Sequence, residues 1–189
     1  TAMHISARMA LEEGLLPALD DLHDALQQKA DAFDDVLKSG RTHLMDATPV
    51  RLGQEFGGYA AQIDQSIQRI ETASEELSEV TLGGTATGSG INRHTEFPER
   101  AVRHISTATG LDFYVTSNHF AQQAGKEIYV SAHGALNALA TALLKIANDL
   151  RLLSSGPTSG IGEITLPTIQ PGSSIMPGKV NPVQSEQVM

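Results

Sequence analysis

The chain has 189 residues, a formal net charge of −9 at pH 7 and no cysteine. Without cysteine, disulfides, zinc–thiolate sites and cysteine nucleophiles are excluded. The acidic balance argues against a general nucleic-acid surface, which needs clustered Lys and Arg. The sequence has no run of about 18 apolar residues and no basic, apolar leader, so we expect neither a membrane span nor a signal peptide.

The first predicted helix covers residues 2–37. Its apolar residues recur in alternating steps of three and four, which is typical of a helix-packing seam. Pro17 removes one intrahelical hydrogen bond, so we expect a kink there. The helix should end at Gly40, just after a cation in its last turn. Because the sequence starts at Thr1 within this pattern and shows no stop signal at Met189, we interpret it as an excerpt of a longer protein.

A second helix follows an irregular connection over residues 40–47. Thr48 and Pro49 are typical of the N-cap and first position of a helix. Its apolar face continues to Val80. The Gly-Gly pair at residues 57–58 lowers helix propensity and predicts close approach by a neighbouring helix.

The third part of the chain combines a loop with two more helices. The glycine-rich stretch 83–92 lacks the Gly-Lys-Ser/Thr ending of a P-loop and the spacing of a dinucleotide fingerprint, so it does not indicate nucleotide binding. A short helix is predicted over residues 98–109 and ends at Gly110. The longest helix is predicted over residues 118–153, with a heptad of leucines that indicates helix packing.

Residues 156–182 hold five of the eight prolines and five of the seventeen glycines. Long loops of this kind are usually functional or disordered. No strand alternation is convincing, so we predict an all-α fold, an elongated bundle of long helices with two Gly/Pro/Ser-rich functional loops. Helices that are apolar on more than one face need neighbouring subunits, which predicts a homo-oligomer with active sites between subunits.

The sequence Gly-Ser-Ser-Ile-Met-Pro-Gly-Lys-Val-Asn-Pro at residues 172–182 presents Ser, Lys and Asn on a shaped backbone. It predicts a site for a small anionic ligand, and the alternative is a solvated surface loop. His43 lies in another polar stretch and is a candidate acid or base, although an exposed loop histidine is the plainer interpretation. Glu186 follows the loop and could orient an imidazole, or be an ordinary solvated side chain. The serine-hydrolase elbow and metal-ligand spacing are both missing.

Residues 172–182 resemble the signature of the fumarase/aspartase superfamily. Within that superfamily, residues 40–49, Gly-Arg-Thr-His-Leu-Met-Asp-Ala-Thr-Pro, resemble the class II fumarase sequence closely. The aspartase branch typically carries Gln in place of His43 and Ala in place of Gly178. The stretch 83–92 resembles a third shared block. Two further matching segments are 145–157 and 160–164.

The resemblance implies the L-aspartase-like fold, in which residues 1–189 form the central helical domain. The N-terminal and C-terminal domains and the Ser-Ser-x-Asn motif are then absent from the chain. The implied activity is the reversible anti hydration of fumarate to (S)-malate in the tricarboxylic acid cycle, without metal or organic cofactor. The implied assembly is a homotetramer whose active sites each take segments from three subunits. We therefore expect the isolated chain to be inactive, with a cytoplasmic location in a bacterium or the mitochondrial matrix in a eukaryote, and no nucleic-acid or membrane partner.

By resemblance, Ser173 is the base that removes the C3 proton of malate, and Gly172 and the backbone donors after Ser173 would stabilise its alkoxide. His43, oriented by Glu186, would protonate the leaving hydroxyl. A division in which His43 acts as the base through a water uses the same residues. The implied substrate-binding residues are Thr42, Ser174, Lys179, Val180 and Asn181.

Two other functions stay open at the level of sequence. One is an aspartase-type ammonia-lyase of the same superfamily, which His43 and Gly178 disfavour. The other is a non-catalytic helical assembly protein, which the complete set of Ser, Lys, Asn and His disfavours.

Overall fold

The computed structural model describes residues 1–189, which form two compact units, Thr1–Asn137 and Ala138–Met189. Helices account for most of the regular structure, and the strands are few and short. The predicted all-α class is therefore confirmed in outline. The boundaries of several elements differ from the predictions.

The first unit opens with α1 (Ala2–Ala10), a π-helical turn (Leu11–Leu15) and α2 (Leu16–Ala32). The predicted first helix is confirmed, although it ends at Ala32 and not at residue 37. The π-helical turn comes directly before Pro17, which lies in the first turn of α2. A proline is tolerated in a first helical turn because the N–H it lacks would have no intrahelical partner there.

A β-hairpin follows, formed by β1 (Leu37–Thr42) and β2 (Met45–Arg51) in antiparallel pairing. The predicted irregular connection and the prediction that no strand forms are wrong here. The two turn residues, His43 and Leu44, have φ values of 52° and 63°. Positive φ at both central positions is the requirement of a type I′ turn, which Asn-Gly sequences normally announce. His-Leu gives no such signal.

The prediction that Thr48 and Pro49 begin the second helix is also wrong. Pro49 lies in β2 opposite Ser39. A two-stranded ribbon consists only of edge strands, so a proline can be placed where its missing N–H breaks no ladder. The helix begins after Arg51, whose N–H donates to the Gln54 side chain at 3.0 Å.

The second long helix, α3 (Leu52–Glu76), packs against α2. The two helices are antiparallel, because Gly53 lies near Ala30 while Ser74 donates to Glu12 just before α2. The side chains between the two helices form the main core of the first unit. Phe56 is central to it, with its ring edge-on to Phe33 and to Tyr59 at centroid distances of 5.2 and 5.6 Å. The other buried apolar side chains of the pair are Leu16, Leu19, Leu26, Ala30, Leu52, Ala60, Ile63, Ile70 and Ala73.

A smaller cluster lies around two short parallel strands, β3 (Glu79–Val80) and β4 (Tyr114–Val115). Val80 is fully buried and packs with Val102 and Phe113. Val102 belongs to α4 (Phe97–Thr109), which ends at Gly110 with φ 72°. The short helix predicted before Gly110 is confirmed.

The predicted helix over residues 118–153 is two helices, α5 (His119–Ala124) and α6 (Glu127–Leu153). The break occurs at Gly125, whose backbone is extended. Lys126 caps the C-terminal end of α5, since its Nζ donates to the carbonyls of Gln123 and Gly125 at 2.9 and 2.8 Å. A cation at a helix C-terminus stabilises the free carbonyls.

His4 of α1 is buried and connects the first helix to the end of α3. Its Nδ1 lies 3.2 Å from the Leu77 carbonyl, and its ring meets Tyr129 edge-on at 5.3 Å. Burial, followed by the positive charge of the Thr1 amino group, lowers the pKa of His4. The ring is therefore held neutral, with the proton on Nδ1 donated to the carbonyl.

The second unit contains the end of α6, a long segment without helix, and α7 (Val183–Val188). The segment turns back on the end of α6, because Gly162 N–H donates to Ser155 O and Glu163 N–H to Leu153 O, each at 2.8 Å. Leu139, Ile146, Ala147 and Leu153 are the buried residues of α6.

By length and composition alone, α6 could cross a membrane, although the sequence holds no unbroken run of about 18 apolar residues. Its most apolar window has a mean hydropathy of 1.2, and 17% of that window is buried. The core helices of soluble proteins share this length and composition, so the helix does not by itself indicate a membrane.

The space around each glycine of α3 shows where the backbone of α2 and the segment after it comes closest. A Cβ on Gly53 would lie 2.3 Å from the Ala30 carbonyl oxygen and 2.9 Å from the Asp34 backbone. A Cβ on Gly57 would meet only the Ala30 methyl at 3.8 Å, and one on Gly58 would meet nothing within 4 Å. The close approach predicted at residues 57–58 therefore occurs at Gly53.

We predict opposite effects for two alanine substitutions in this helix. Gly53→Ala should lower the free energy of unfolding by about 3 kcal/mol, because rigid backbone atoms must move. Gly58→Ala should raise it by about 0.5–1 kcal/mol, because alanine favours the helix and fits without contact. Urea-induced unfolding measures both, and equal effects of the two variants would contradict the packing at Gly53.

Candidate active site

Thr42 and His43 lie at the tip of the hairpin in the first unit, and both side chains are exposed. The ribbon is held to the helices at its base by two ion pairs. Lys38 Nζ of β1 lies 2.7 Å from Glu55 Oε2 of α3, with the Lys38 side chain only 8% exposed. The other pair joins Arg51 to Asp34 at 3.1 Å. The tip is thus carried on an anchored ribbon, and not on a free loop.

The segment 172–182 closes on itself in the second unit. Pro171 and Val180 form an isolated antiparallel bridge, and Gly172 N–H donates to Lys179 O at 2.8 Å. Lys179 N–H donates to Met176 O at 3.2 Å. Gly178 has φ 81°, a left-handed conformation that glycine adopts without penalty. The predicted shaped loop is present, and backbone hydrogen bonds define its shape.

Ser173 is half-buried inside this closed loop. Its Oγ accepts hydrogen bonds from the N–H groups of Ile175 and Met176, each at 3.3 Å. Two backbone donors on one hydroxyl oxygen favour negative charge on that oxygen. The resemblance predicts that Gly172 contributes to this stabilisation, but its N–H donates to Lys179 O and not to Ser173 Oγ. The expectation for Gly172 is therefore wrong, and the residues after Ser173 provide the donors.

Lys179, Val180 and Asn181 border a cavity of about 330 Å³ in the second unit. This volume suits a small molecule with a few polar groups. Residues between 154 and 168 also line the cavity, and their hydroxyl groups are not predicted from the sequence. Their only signal was their place in a Gly/Pro-rich segment, which gives no spacing to interpret. These hydroxyl-bearing residues are Ser154, Thr165 and Thr168.

Glu186 lies in α7, directly after the loop, and its side chain is exposed. Its N–H donates to Pro182 O at 3.1 Å, so Pro182 begins the helix as expected. Ser174 is an exposed neighbour of Ser173. His43 belongs to the first unit and Glu186 to the second, and their pairing stays a prediction.

The other glycine-rich loop, residues 83–92, is braced by side chains of the first unit. Arg93 donates to Gly83 O at 2.9 Å, and Gln123 donates to Thr85 O at 3.1 Å. His119 Nε2 lies 3.1 Å from Leu82 O. Across the chain, no group of three or more His, Asp or Glu side chains is placed to hold a metal ion.

A helical fold with a closed loop that presents serine, lysine and asparagine agrees with the resemblance of the sequence to the lyases of the fumarase/aspartase superfamily. A family model described as lyase matches residues 1–189. The chain belongs to this lyase family.

Two relatives illustrate this placement. The class II fumarate hydratase of Nitrosomonas europaea is 52% identical over 189 residues, which are 100% of this chain and 41% of that protein. The mitochondrial fumarate hydratase of Danio rerio is 50% identical over 186 residues, which are 98% of this chain and 36% of that protein. The chain therefore spans about two fifths of the length of these relatives.

Solved structures agree in fold. A class II fumarase from Schistosoma mansoni superimposes with a TM-score of 0.95 at 38% identity, over 100% of this chain and 42% of that one. A protein from Brucella melitensis described as fumarate lyase:delta crystallin gives a TM-score of 0.90 at 45% identity, over 98% of this chain and 41% of that one.

We predict that Glu55→Gln loosens the hairpin that carries Thr42 and His43. Removing the carboxylate that faces the buried Lys38 ammonium should cost about 1–3 kcal/mol of unfolding free energy. The matched control is Asp34→Asn, which weakens an exposed pair and should cost less than about 1 kcal/mol. Hydrogen exchange of the hairpin amides measures the loosening, and unchanged exchange in Glu55→Gln would contradict the anchoring role.

Proposed function

We propose that the chain is the central helical segment of a class II fumarate hydratase, which adds water to fumarate in the anti sense to give (S)-malate. The observation that carries the proposal is Ser173 Oγ, which accepts two backbone N–H groups within the loop that also carries Lys179 and Asn181. The names of the relatives support the same reaction.

In the direction from malate to fumarate, the proposed base is Ser173 as an alkoxide, and it takes the proton from C3. The two N–H groups on its oxygen stabilise the charge that a free serine hydroxyl cannot hold. The electrons of the broken C–H bond pass into the adjacent carboxylate and form a doubly charged aci-carboxylate. Lys179 and Asn181 stabilise that charge, with Ser174 and Thr42 as further donors and Val180 lining the substrate.

The second half of the reaction breaks the C2–O bond. The electrons of the aci-carboxylate form the C2–C3 double bond, and the hydroxyl departs with a proton from His43, as water. Glu186 of another subunit orients the imidazole. In the hydration direction the same His43 takes a proton from the attacking water. The alternative in which His43 is the base through a water uses the same residues.

We propose a homotetramer in which each site combines segments of three subunits. The exposed apolar residues of α6 support a packing role for that helix, since only 17% of its most apolar window is buried within this chain. The substrate is then a four-carbon dicarboxylate, and the enzyme is cytoplasmic in a bacterium or located in the mitochondrial matrix of a eukaryote. Its place is the hydration step of the tricarboxylic acid cycle.

We expect Ser173→Ala in the full-length enzyme to lower kcat for fumarate hydration by about 10²–10⁴-fold, the usual contribution of a general base, with little change in folding. Loss of fumarate ultraviolet absorbance measures the rate. The matched control is Ser174→Ala, which removes a proposed donor and should cost about tenfold.

Two results, one with the Ser173→Ala variant and one with the unsubstituted enzyme, would overturn part of the proposal. Turnover that survives Ser173→Ala removes the base assignment. Faster addition of ammonia than of water by the unsubstituted enzyme assigns the protein to the ammonia-lyases. The 189-residue chain alone should form no malate, because it lacks segments that complete the site.

We expect His43→Asn to reduce kcat by about 10- to 100-fold, a smaller loss than that of Ser173→Ala, because water can partly replace the imidazole in protonating the hydroxyl. The pH dependence of kcat should lose one limb. His23→Asn on α2 is the control, since His23 contacts only Asp24 as a polar partner and its loss should leave the profile intact. An unchanged pH–rate profile in His43→Asn would count against its acid–base role.

A further inference from the structure

The missing side chain of Gly172 leaves the space in which the Asn181 carboxamide lies. A Cβ placed on Gly172 would be 2.6 Å from Asn181 Oδ1 and 2.9 Å from Asn181 Cγ. The same Cβ would lie 3.1 Å from Lys179 O. Contacts below about 3 Å do not occur between real side-chain carbons and their neighbours, so one of the groups would have to move.

The backbone around this contact is fixed, so relief has to come from the Asn181 side chain. Gly172 N–H is bound to Lys179 O at 2.8 Å, and Asn181 O accepts the N–H of Val183 at 2.9 Å. The bridge between Pro171 and Val180 holds the two arms of the loop together. The carboxamide, in contrast, is the free end of a side chain and can rotate.

Gly172 does not need to be glycine for its own backbone. Its φ is outside the left-handed region, in which Gly178 of the same loop lies at 81°. An alanine at position 172 therefore collides without backbone strain. An alanine at position 178 is strained but meets nothing within 4 Å. Comparing alanine substitutions at the two positions therefore distinguishes a collision with Asn181 from a general disturbance of the loop.

We infer that Gly172 is a positioning residue that sets the orientation of the Asn181 carboxamide toward the substrate carboxylate. The inference rests on the proposed function, in which Asn181 binds that carboxylate. Ser173 is held separately, by the amides of Ile175 and Met176. A side chain at position 172 should therefore displace the Asn181 carboxamide and leave Ser173, the proposed base, in place.

The test is a double-mutant cycle in the full-length enzyme. Gly172→Ala should lower kcat/KM for fumarate by about 100-fold, the effect of moving a positioning group by about 1 Å. In the Asn181→Ala background, the same substitution should cost less than about twofold, because the group it displaces is gone. The pH dependence of kcat/KM and the melting temperature should stay those of the parent enzyme.

Gly178→Ala is the matched control and should cost the same factor in both backgrounds. The inference is overturned if Gly172→Ala lowers kcat/KM by the same factor in the parent enzyme and in the Asn181→Ala background. It is also overturned if Gly172→Ala and Gly178→Ala both lose their effect on kcat/KM in the Asn181→Ala background. A crystal structure of Gly172→Ala in which the Asn181 rotamer is unchanged would overturn it independently of activity. A parent enzyme that does not hydrate fumarate refutes the proposed function instead.

Discussion

The contact between the backbones of α2 and α3 at Gly53 is the constraint from which the hairpin takes its position. Gly53 N–H donates to Phe33 O at 3.0 Å, and Leu52 N–H donates to Val36 O at 2.9 Å. The start of α3 is therefore bonded directly to the segment that follows α2. The hairpin begins and ends at this junction between α2 and α3, and the Lys38 side chain is buried there against Glu55. Packing of two helices thus fixes the place of Thr42 and His43.

The loop of the second unit uses the same physical device on a smaller scale. A glycine, Gly172, brings two chain segments close enough for a backbone hydrogen bond to Lys179. The turn enclosed by this bond directs two N–H groups at Ser173 Oγ. Fixed backbone dipoles stabilise charge without the reorganisation that water or mobile side chains need. The chemistry proposed for Ser173 therefore originates in main-chain geometry.

The apolar surface of α6 connects the fold to the proposed assembly. Val130, Leu136, Leu144 and Leu152 are exposed within this chain, although the helix has the composition of a core helix. Burial of such a surface against other subunits is favourable by about 25 cal/mol per Å² of apolar area. An active site shared between subunits does not require His43 and Ser173 to meet within one chain. His43 belongs to the first compact unit and Ser173 to the second.

The sequence by itself determined the helical class, the helix before Gly110 and the loop from Gly172 to Pro182, because periodicity, glycine caps and proline act locally. Tertiary structure decided the hairpin, since the positive φ values of His43 and Leu44 are imposed by strand pairing and by the ion pair to α3. It also decided that Gly53 makes the close contact and that Gly172 N–H faces Lys179 O. The hairpin, the Gly53 contact and the Gly172 hydrogen bond depend on atoms distant in sequence or on loop closure, so no local sequence pattern predicts them.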